Sequence, residues 1–278
     1  MITFDYATEK ATNTFTFPGG EVQPRLLYTR PEKRVVASIA SSKDVMELML
    51  ITDALRRDGI YPETLDLILP YFPYARQDRV CQPGEALAVK VMGDLINSLG
   101  YHSVTVFDPH SQVVEAVLDC PLIIDQSYFV GKLFRNHLGT SRDVKRILVA
   151  PDLGAAKKVD QTACELALDF ITATKHRDPA TGNLTECRID AEIDPEAHYL
   201  IVDDICDGGR TFINLAVEMR TRGATKIDLF VTHGIFSNGF HVFDDLIDNI
   251  YYTNSLHQSQ VRDVEFIHSE TPNEEIPL

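Results

Sequence analysis

The chain has 278 residues, a formal net charge of −15 and a pI near 4.9, with 44% hydrophobic and 24% charged residues. That length suits about two domains of about 140 residues, each large enough to bury its own core. The composition excludes a disordered chain, the acidity speaks against a nucleic-acid binder, and no apolar run approaches the roughly 20 residues that span a membrane. Any site for a polyanion must therefore gather local Lys and Arg, or a divalent metal, against an unfavourable overall field. The five cysteines, at 81, 120, 164, 187 and 206, are scattered and show no CxxC spacing. With an opening MITFDYATEK that has neither the basic nor the apolar region of a signal peptide, they point to a reduced, cytoplasmic protein with unpaired thiols.

Residues 1–30 read as short strands and turns, with Pro18-Gly19-Gly20 as a turn signal. Arg34–Ile39 reads as a strand, and Asp44–Arg57 as an amphipathic helix ending at Gly59. Leu65–Leu69 is the next apolar strand and runs into PYFPYARQDR, residues 70–79. Arg76 and Arg79 there are cations beyond a strand end, suited to phosphate; paired surface charges are the other reading. Glu85–Gly100 reads as a helix, and Val104–Phe107 as a strand leading to Asp108-Pro109-His110-Ser111-Gln112. A faint repeat follows: Leu99-Gly100 precedes VTVFDPHS, and Arg222-Gly223 precedes IDLFVTHGIFS. Two similar α/β halves would produce it, and the polar NHLGTSRD segment interrupts the pattern, so the halves are placed at 1–137 and 138–278.

The second half opens with the strand Ile147–Ala150, followed by Pro151-Asp152-Leu153-Gly154-Ala155, and Lys157 and Lys158 read equally well as a solvated helix face. Asp169–Thr172 is a strand before the basic cluster Lys175-His176-Arg177. The central stretch is Tyr199–Ala216, YLIVDDICDGGRTFINLA. A β-branched run ends in the carboxylates Asp203 and Asp204, then a glycine turn, then a helix from Thr211 to about Arg222. In an open α/β sheet, ligands bind beyond the carboxyl ends of strands. A helix N-terminus offers backbone N–H groups and partial positive charge, and glycines let the backbone close around phosphate oxygens. Two adjacent carboxylates can accept from the two hydroxyls of a ribose, so the stretch reads as a sugar-phosphate cradle; an ordinary βα turn with acidic residues facing water also fits. Ile227–Thr232 is a strand before His233.

Two of these stretches together, PYFPYARQDR and VDDICDGGRT, resemble the ribose-phosphate pyrophosphokinase family, whose halves share the type I phosphoribosyltransferase fold. The resemblance implies an α/β protein of two similar phosphoribosyltransferase-like domains, each a mainly parallel sheet flanked by helices. It implies magnesium-dependent transfer of the diphosphoryl group of ATP to the anomeric hydroxyl of ribose 5-phosphate, giving phosphoribosyl pyrophosphate and AMP. Residue by residue, it carries over Arg76, Gln77 and Asp78 to ATP binding. Phe17 and Glu21 match the segment that lends side chains to a neighbouring subunit's nucleotide site, although a simple hairpin turn reads as well there. His110 matches a catalytic and metal–nucleotide position, and Asp152 a magnesium contact within a pyrophosphate loop formed with Leu153, Gly154 and Ala155. Lys175 and Arg177 match the cations of a catalytic lid. Asp203 and Asp204 would hold the ribose hydroxyls, and Asp207, Gly208, Gly209, Arg210 and Thr211 the 5-phosphate. A homo-oligomer, dimer or hexamer, is also implied.

Departures from the family pattern are equally specific. Gly19 stands where an acidic residue is usual, Pro109 where an apolar one is, and Ala155 where a glycine is. The phosphate loop, commonly DTAGT, is here DGGRT: Gly208 removes a hydroxyl and Arg210 puts a bulky cation in place of a glycine. These changes permit an acceptor with a larger 5′ substituent, such as ADP-ribose, whose second phosphate Arg210 would meet. A non-catalytic relative that regulates an active enzyme, and a phosphoribosyltransferase acting on a base, are the competing classes. The second has no need of PYFPYARQDR.

Overall fold

Short aliphatic runs alternating with amphipathic helices build two separate, mainly parallel sheets in the computed structural model, which describes residues 2–5, 11–27, 31–139, 144–177, 184–256 and 267–270. The chain divides into two compact units, Met1–Ile124 with Asn254–Phe266, and Asp125–Thr253 with Ile267–Leu278.

In the first unit, β1 (Ile2–Phe4) is followed by the hairpin β2 (Thr12–Thr16) and β3 (Val22–Leu26), then β4 (Arg34–Ala37) and α1 (Ser42–Arg57). Next come β5 (Asp66–Leu69), α2 (Ala88–Ser98), β6 (Ser103–Phe107), the short α3 (Val113–Val117) and β7 (Pro121–Ile124). The sheet order is β1-β4-β5-β6-β7, parallel except for β1. Helix α1 begins two residues earlier than its apolar spacing predicts because Ser41 and Asp44 form a reciprocal cap. Ser41 Oγ accepts from the Asp44 N–H, and the Asp44 carboxylate accepts from the Ser41 N–H at 2.8 Å. The helix buries Val45, Leu48, Ile51 and Leu55 with Val35, Leu67, Leu69, Val104 and Val106 of the sheet. Helix α2 starts later than expected, since Glu85 is taken up in a turn: its carboxylate accepts from the N–H groups of Cys81 (2.8 Å) and Gln82 (3.0 Å).

The second unit contains α4 (Gln126–Leu133), β8 (Arg146–Ala150), α5 (Leu153–Leu166), β9 (Asp169–Arg177) and β10 (Leu184–Ile189). It continues with β11 (His198–Cys206), α6 (Arg210–Thr221), β12 (Lys226–Gly234), β13 (Asn249–Thr253) and β14 (Ile267–Glu270). Its sheet runs β10-β9-β8-β11-β12-β13-β14, with the two outermost strands antiparallel to their neighbours and the rest parallel. Helix α4 packs on α5, so the contacts place it with the second unit, upstream of the 137/138 division expected from composition. The basic cluster at 175–177 is not the start of a loop in its backbone: it ends β9 and pairs with β10, with Lys175 opposite Cys187.

Four parallel strands correspond between the units, β4 to β8, β5 to β11, β6 to β12 and β7 to β13, with β9 and β10 as an excursion in the second. The faint sequence repeat has this origin: PYFPYARQDR follows β5, the strand equivalent to the one that carries VDDICD, and DPHS follows β6 as HGIFS closes β12.

At the amino ends of β11, β12 and β13, the fully buried Asp228 carboxylate takes the ring nitrogen Nε2 of His198 at 2.8 Å and the Asn249 amide at 2.9 Å, with Lys226 Nζ at 3.6 Å. Removing one partner from such a cluster strands the others. Asp228→Ala is therefore expected to cost about 3 kcal/mol of stability, read as a lowered urea midpoint at unchanged slope.

Candidate active site

The order of strands in the second unit marks the site. From β8 the chain moves outward to β9, whereas from β11 it moves the other way to β12 and β13, so the sheet reverses between the adjacent parallel strands β8 and β11. That reversal point is where open α/β sheets bind ligands, beyond the carboxyl ends of the strands. The segments leaving these two ends are 151–152 and 207–209, and each leads into a helix.

After β8, Asp152 adopts an extended conformation and caps α5, its Oδ1 accepting the Ala155 N–H at 3.0 Å. The Ala155 N–H that the loop retains in place of a glycine is thus spent on the cap. Leu153 is 72% exposed at the first helical position. Gly154 lies close against the cap, since a Cβ there would stand 3.1 Å from Asp152 Oδ1.

Strand β11 extends further than its apolar run predicts and contains both carboxylates. Asp204 is buried, Asp203 is half-buried, and the Asp203 Oδ1 accepts the Asp204 N–H at 2.9 Å. Lys158, which sequence left between a solvated helix face and a functional role, places Nζ 3.9 Å from Asp204 Oδ2. Burial, then the charge of Asp204 and its hydrogen bond, with Asp152 beyond, push the Asp203 carboxyl well above the ordinary carboxylate range. The turn that follows has Asp207 and Arg210 exposed, Gly208 and Thr211 half-buried and Gly209 buried. Gly209 needs its lack of a side chain twice over: its φ is +79°, and a Cβ would meet Phe243 Cζ at 2.5 Å. Arg210 is the first residue of α6, whose opening N–H groups lie outside the helical ladder.

In the first unit, the loops after β5 and β6 are neighbours. Phe72 and Ala75 are buried, the Tyr74 hydroxyl meets Ser42 Oγ at 3.0 Å, and the Gln77 N–H donates to the Tyr74 carbonyl at 3.0 Å. This leaves Arg76 and Gln77 exposed on an anchored turn. Asp78 accepts from Arg79 Nε at 3.0 Å and is also hydrogen-bonded by Ser111, which ties the two loops together; the bond from Arg79 holds its carboxyl below the usual range. Arg79 is thereby paired within its own loop, the second of the two readings that its sequence left open. Asp108 is buried with φ +34°, its N–H donating to Ile124 O at 2.8 Å, and the exposed His110 follows. Phe17 and Glu21 close the β2–β3 turn through the Phe17 N–H to Glu21 carbonyl bond, 2.8 Å. Phe17 is 46% exposed and packs edge-on against Phe15. The side chains of Lys175 and Arg177 lie outside the described residues. Sequence reading includes Ser111, Cys206 and Asn238 within its motifs but gives none of them a role; each is a polar side chain at or just after a strand end, which was the available signal.

The donors suit a hard divalent cation only in part. In the second unit Asp152 and the Asp203–Asp204 pair offer the carboxylate oxygens that a hard divalent cation takes, and in the first unit His110 offers only a softer imidazole nitrogen. Among the described residues no three His, Cys, Asp or Glu side chains are grouped to hold a metal on their own, and no helix is long and apolar enough to cross a membrane.

Known proteins share these features. The sequence family described as the N-terminal domain of ribose phosphate pyrophosphokinase matches residues 8–100, and the phosphoribosyl transferase domain family matches 114–248. A ribose-phosphate pyrophosphokinase of Mycoplasmopsis pulmonis is 32% identical over 257 residues, 88% of this chain and 77% of its own length. One from Thermococcus kodakarensis is 32% identical over 86% of this chain and 84% of its own length. The crystal structure of phosphoribosylpyrophosphate synthetase from Mycobacterium smegmatis shares the fold, with a TM-score of 0.73 over 90% of this chain and 82% of that one at 21% identity.

The raised Asp203 carboxyl has a consequence for stability. Its proton is bound more tightly in the folded state, so its contribution is intact below the ordinary aspartate pKa and is lost as pH rises through the folded value. Asp203→Asn is expected to gain about 1 kcal/mol in neutral or mildly alkaline buffer and nothing in acid, seen in thermal melts across pH.

Proposed function

This chain belongs to the ribose-phosphate pyrophosphokinase family, and we propose that it transfers the β,γ-diphosphoryl group of ATP to the anomeric hydroxyl of ribose 5-phosphate. The C1 oxygen attacks the β-phosphorus, the bond from that phosphorus to the α,β-bridging oxygen breaks, and AMP leaves while the hydroxyl proton passes to solvent or a nearby base. Catalysis of this kind rests on positioning and charge neutralisation more than on covalent help.

The observation that carries the reading is the reversal point between β8 and β11, where Asp203 and Asp204 lead directly into a glycine turn at a helix N-terminus. In this reading Asp203 and Asp204 accept from the ribose hydroxyls, and the turn from Asp207 to Thr211 takes the 5-phosphate. Arg76 and Gln77 hold ATP on a loop that Asp78 orders, and Phe17 and Glu21 serve a nucleotide site as a hairpin tip. Lys175 and Arg177 stabilise charge on the transferred group. Asp152, as the cap of the 151–155 loop, would contact Mg²⁺ in the second unit, and His110 would serve a metal–nucleotide contact in the first. When bound, the ion supplies neutralisation of phosphate charge. A homo-oligomer fits the exposed Phe15–Phe17 pair.

A second acceptor is favoured by one observation: Arg210 is an exposed cation at the first position of α6, beside the glycine turn. The same chemistry on a 5′-substituted ribose phosphate such as ADP-ribose would give that cation a second phosphate to bind.

Purified protein with Mg-ATP is expected to release AMP in the presence of ribose 5-phosphate or ADP-ribose, measured acceptor by acceptor. No AMP with any ribose phosphate assigns the chain to the regulatory relatives, and efficient use of ribose 5-phosphate with none of ADP-ribose removes the second reading. Lys175→Ala should keep ATP affinity by calorimetry yet lose turnover by about a thousandfold; near-native turnover would remove Lys175 from the mechanism.

A further inference from the structure

Four consecutive carbonyls of the glycine turn are anchored. The Cys206 oxygen accepts from the N–H groups of Ile235 (2.8 Å) and Phe236 (3.2 Å), and that of Asp207 from Ser237 N–H (3.2 Å). The Gly209 oxygen accepts from Ile213 N–H at 3.0 Å, within α6. The Gly208 oxygen differs: its donor is a side chain, the Asn238 amide Nδ2, at 3.0 Å. In a trans peptide the carbonyl and the following N–H point in opposite directions, so each anchor also aims an N–H. Anchoring residues 206–209 by their oxygens turns the N–H groups of 207–210 the other way.

The peptide joining Gly208 to Gly209 is the weak link. It is flanked by two glycines, so rotating the whole peptide meets little steric resistance. A flip would exchange a donor for an acceptor in the turn and put a carbonyl dipole where an anion is to be held. Asn238 fixes the peptide by its oxygen, and just before it the Cys206 S–H points to the Asp207 carbonyl at 3.9 Å. The room for this latch comes from Gly208 itself. A Cβ at that position would stand 3.0 Å from Asn238 Nδ2 and 3.8 Å from Ser237 Oγ. The loss of a side chain from the loop and the arrival of an amide from the segment after β12 are thus two parts of one arrangement.

We infer that Asn238 is a positioning residue that locks the Gly208–Gly209 peptide in the orientation that binds a sugar phosphate. The consequence for binding rests on the proposed acceptor site; the latch itself does not.

The test measures both. Amide hydrogen exchange on the full chain reads the Gly209 N–H, and calorimetry reads ribose 5-phosphate and ATP separately. Asn238→Ala is expected to speed Gly209 exchange by about tenfold and to weaken ribose 5-phosphate by about tenfold, leaving ATP affinity unchanged. Asn238→Gln, which keeps the amide donor, should restore both in part. Native exchange at Gly209 in Asn238→Ala overturns the latch. Faster exchange with undiminished ribose 5-phosphate affinity overturns its role in binding. If the unaltered protein binds no ribose 5-phosphate, the acceptor reading fails, and Gly209 exchange still decides the latch. A variant that unfolds would lose ATP affinity as well, which separates that outcome from the expected one.

Discussion

Parallel pairing of β8 with β11 is the constraint on which the candidate site depends. Their register, His198 opposite Arg146 through Ile201 opposite Val149, brings the carboxyl ends of the two strands side by side. Crossovers in such units are right-handed, so helices leaving two strands that diverge in opposite directions along the sheet pass to opposite faces. The ends between them are left uncovered. Everything chemical in this unit follows from that: Asp152 at one strand end, Asp203 and Asp204 at the other, and two helix N-termini starting from the same edge.

The electrostatics of this edge run against those of an ordinary phosphate site. The chain is strongly acidic, and the strand that carries the turn places two carboxylates directly before it. Lys158 is the cation recorded against Asp204, at a distance too long for a direct hydrogen bond. The raised Asp203 carboxyl is the visible cost of burying a carboxyl and, after that, of setting it beside the charge of Asp204. A fold under no functional demand would relieve it by an amide or an apolar residue, so the retained repulsion is of the kind that active sites keep at the expense of stability. Phosphate binding at such an edge relies on oriented backbone N–H groups, which bring donor character without adding side-chain bulk.

Much of this was legible in the chain itself. Aliphatic runs ended by glycine-capped helices identified the parallel strands, and two motifs located the strand-end loops in both units. What escaped were features set by partners distant in sequence. Helix α2 begins at Ala88 because Glu85 is captured by the Cys81 and Gln82 amides, which helical periodicity cannot register. Strand β9 runs through a basic cluster because β10 pairs with it, a tertiary contact that overrides the loop-like polarity of Lys175-His176-Arg177. Arg79 reads from its motif as a phosphate cation or a paired surface charge, and its geometry is decided by the adjacent Asp78, and Asp78 in turn by Ser111 from the next strand. The Asn238 contact joins residues 30 apart and needed coordinates to be seen.

The two glycines of the turn show why a motif and its cause must be kept apart. Adjacent glycines after a strand suggest a backbone that comes close to phosphate, and that account explains neither one fully here. Gly209 is required by the core: at φ +79° with Phe243 against its α-carbon, any side chain would break both the turn and the packing beneath it. Phe243 belongs to an aromatic cluster with Phe236, which itself packs on Phe240 and Tyr252, so the turn sits on a rigid pad. Gly208 leaves room for the neighbouring loop, since a Cβ there would stand 3.0 Å from Asn238 Nδ2. The flexibility that two glycines bring is then removed by four anchored carbonyls. A loop built this way keeps the close backbone approach that glycine allows while its peptides are fixed before any ligand arrives, which is the condition for binding an anion without first spending energy to order the site.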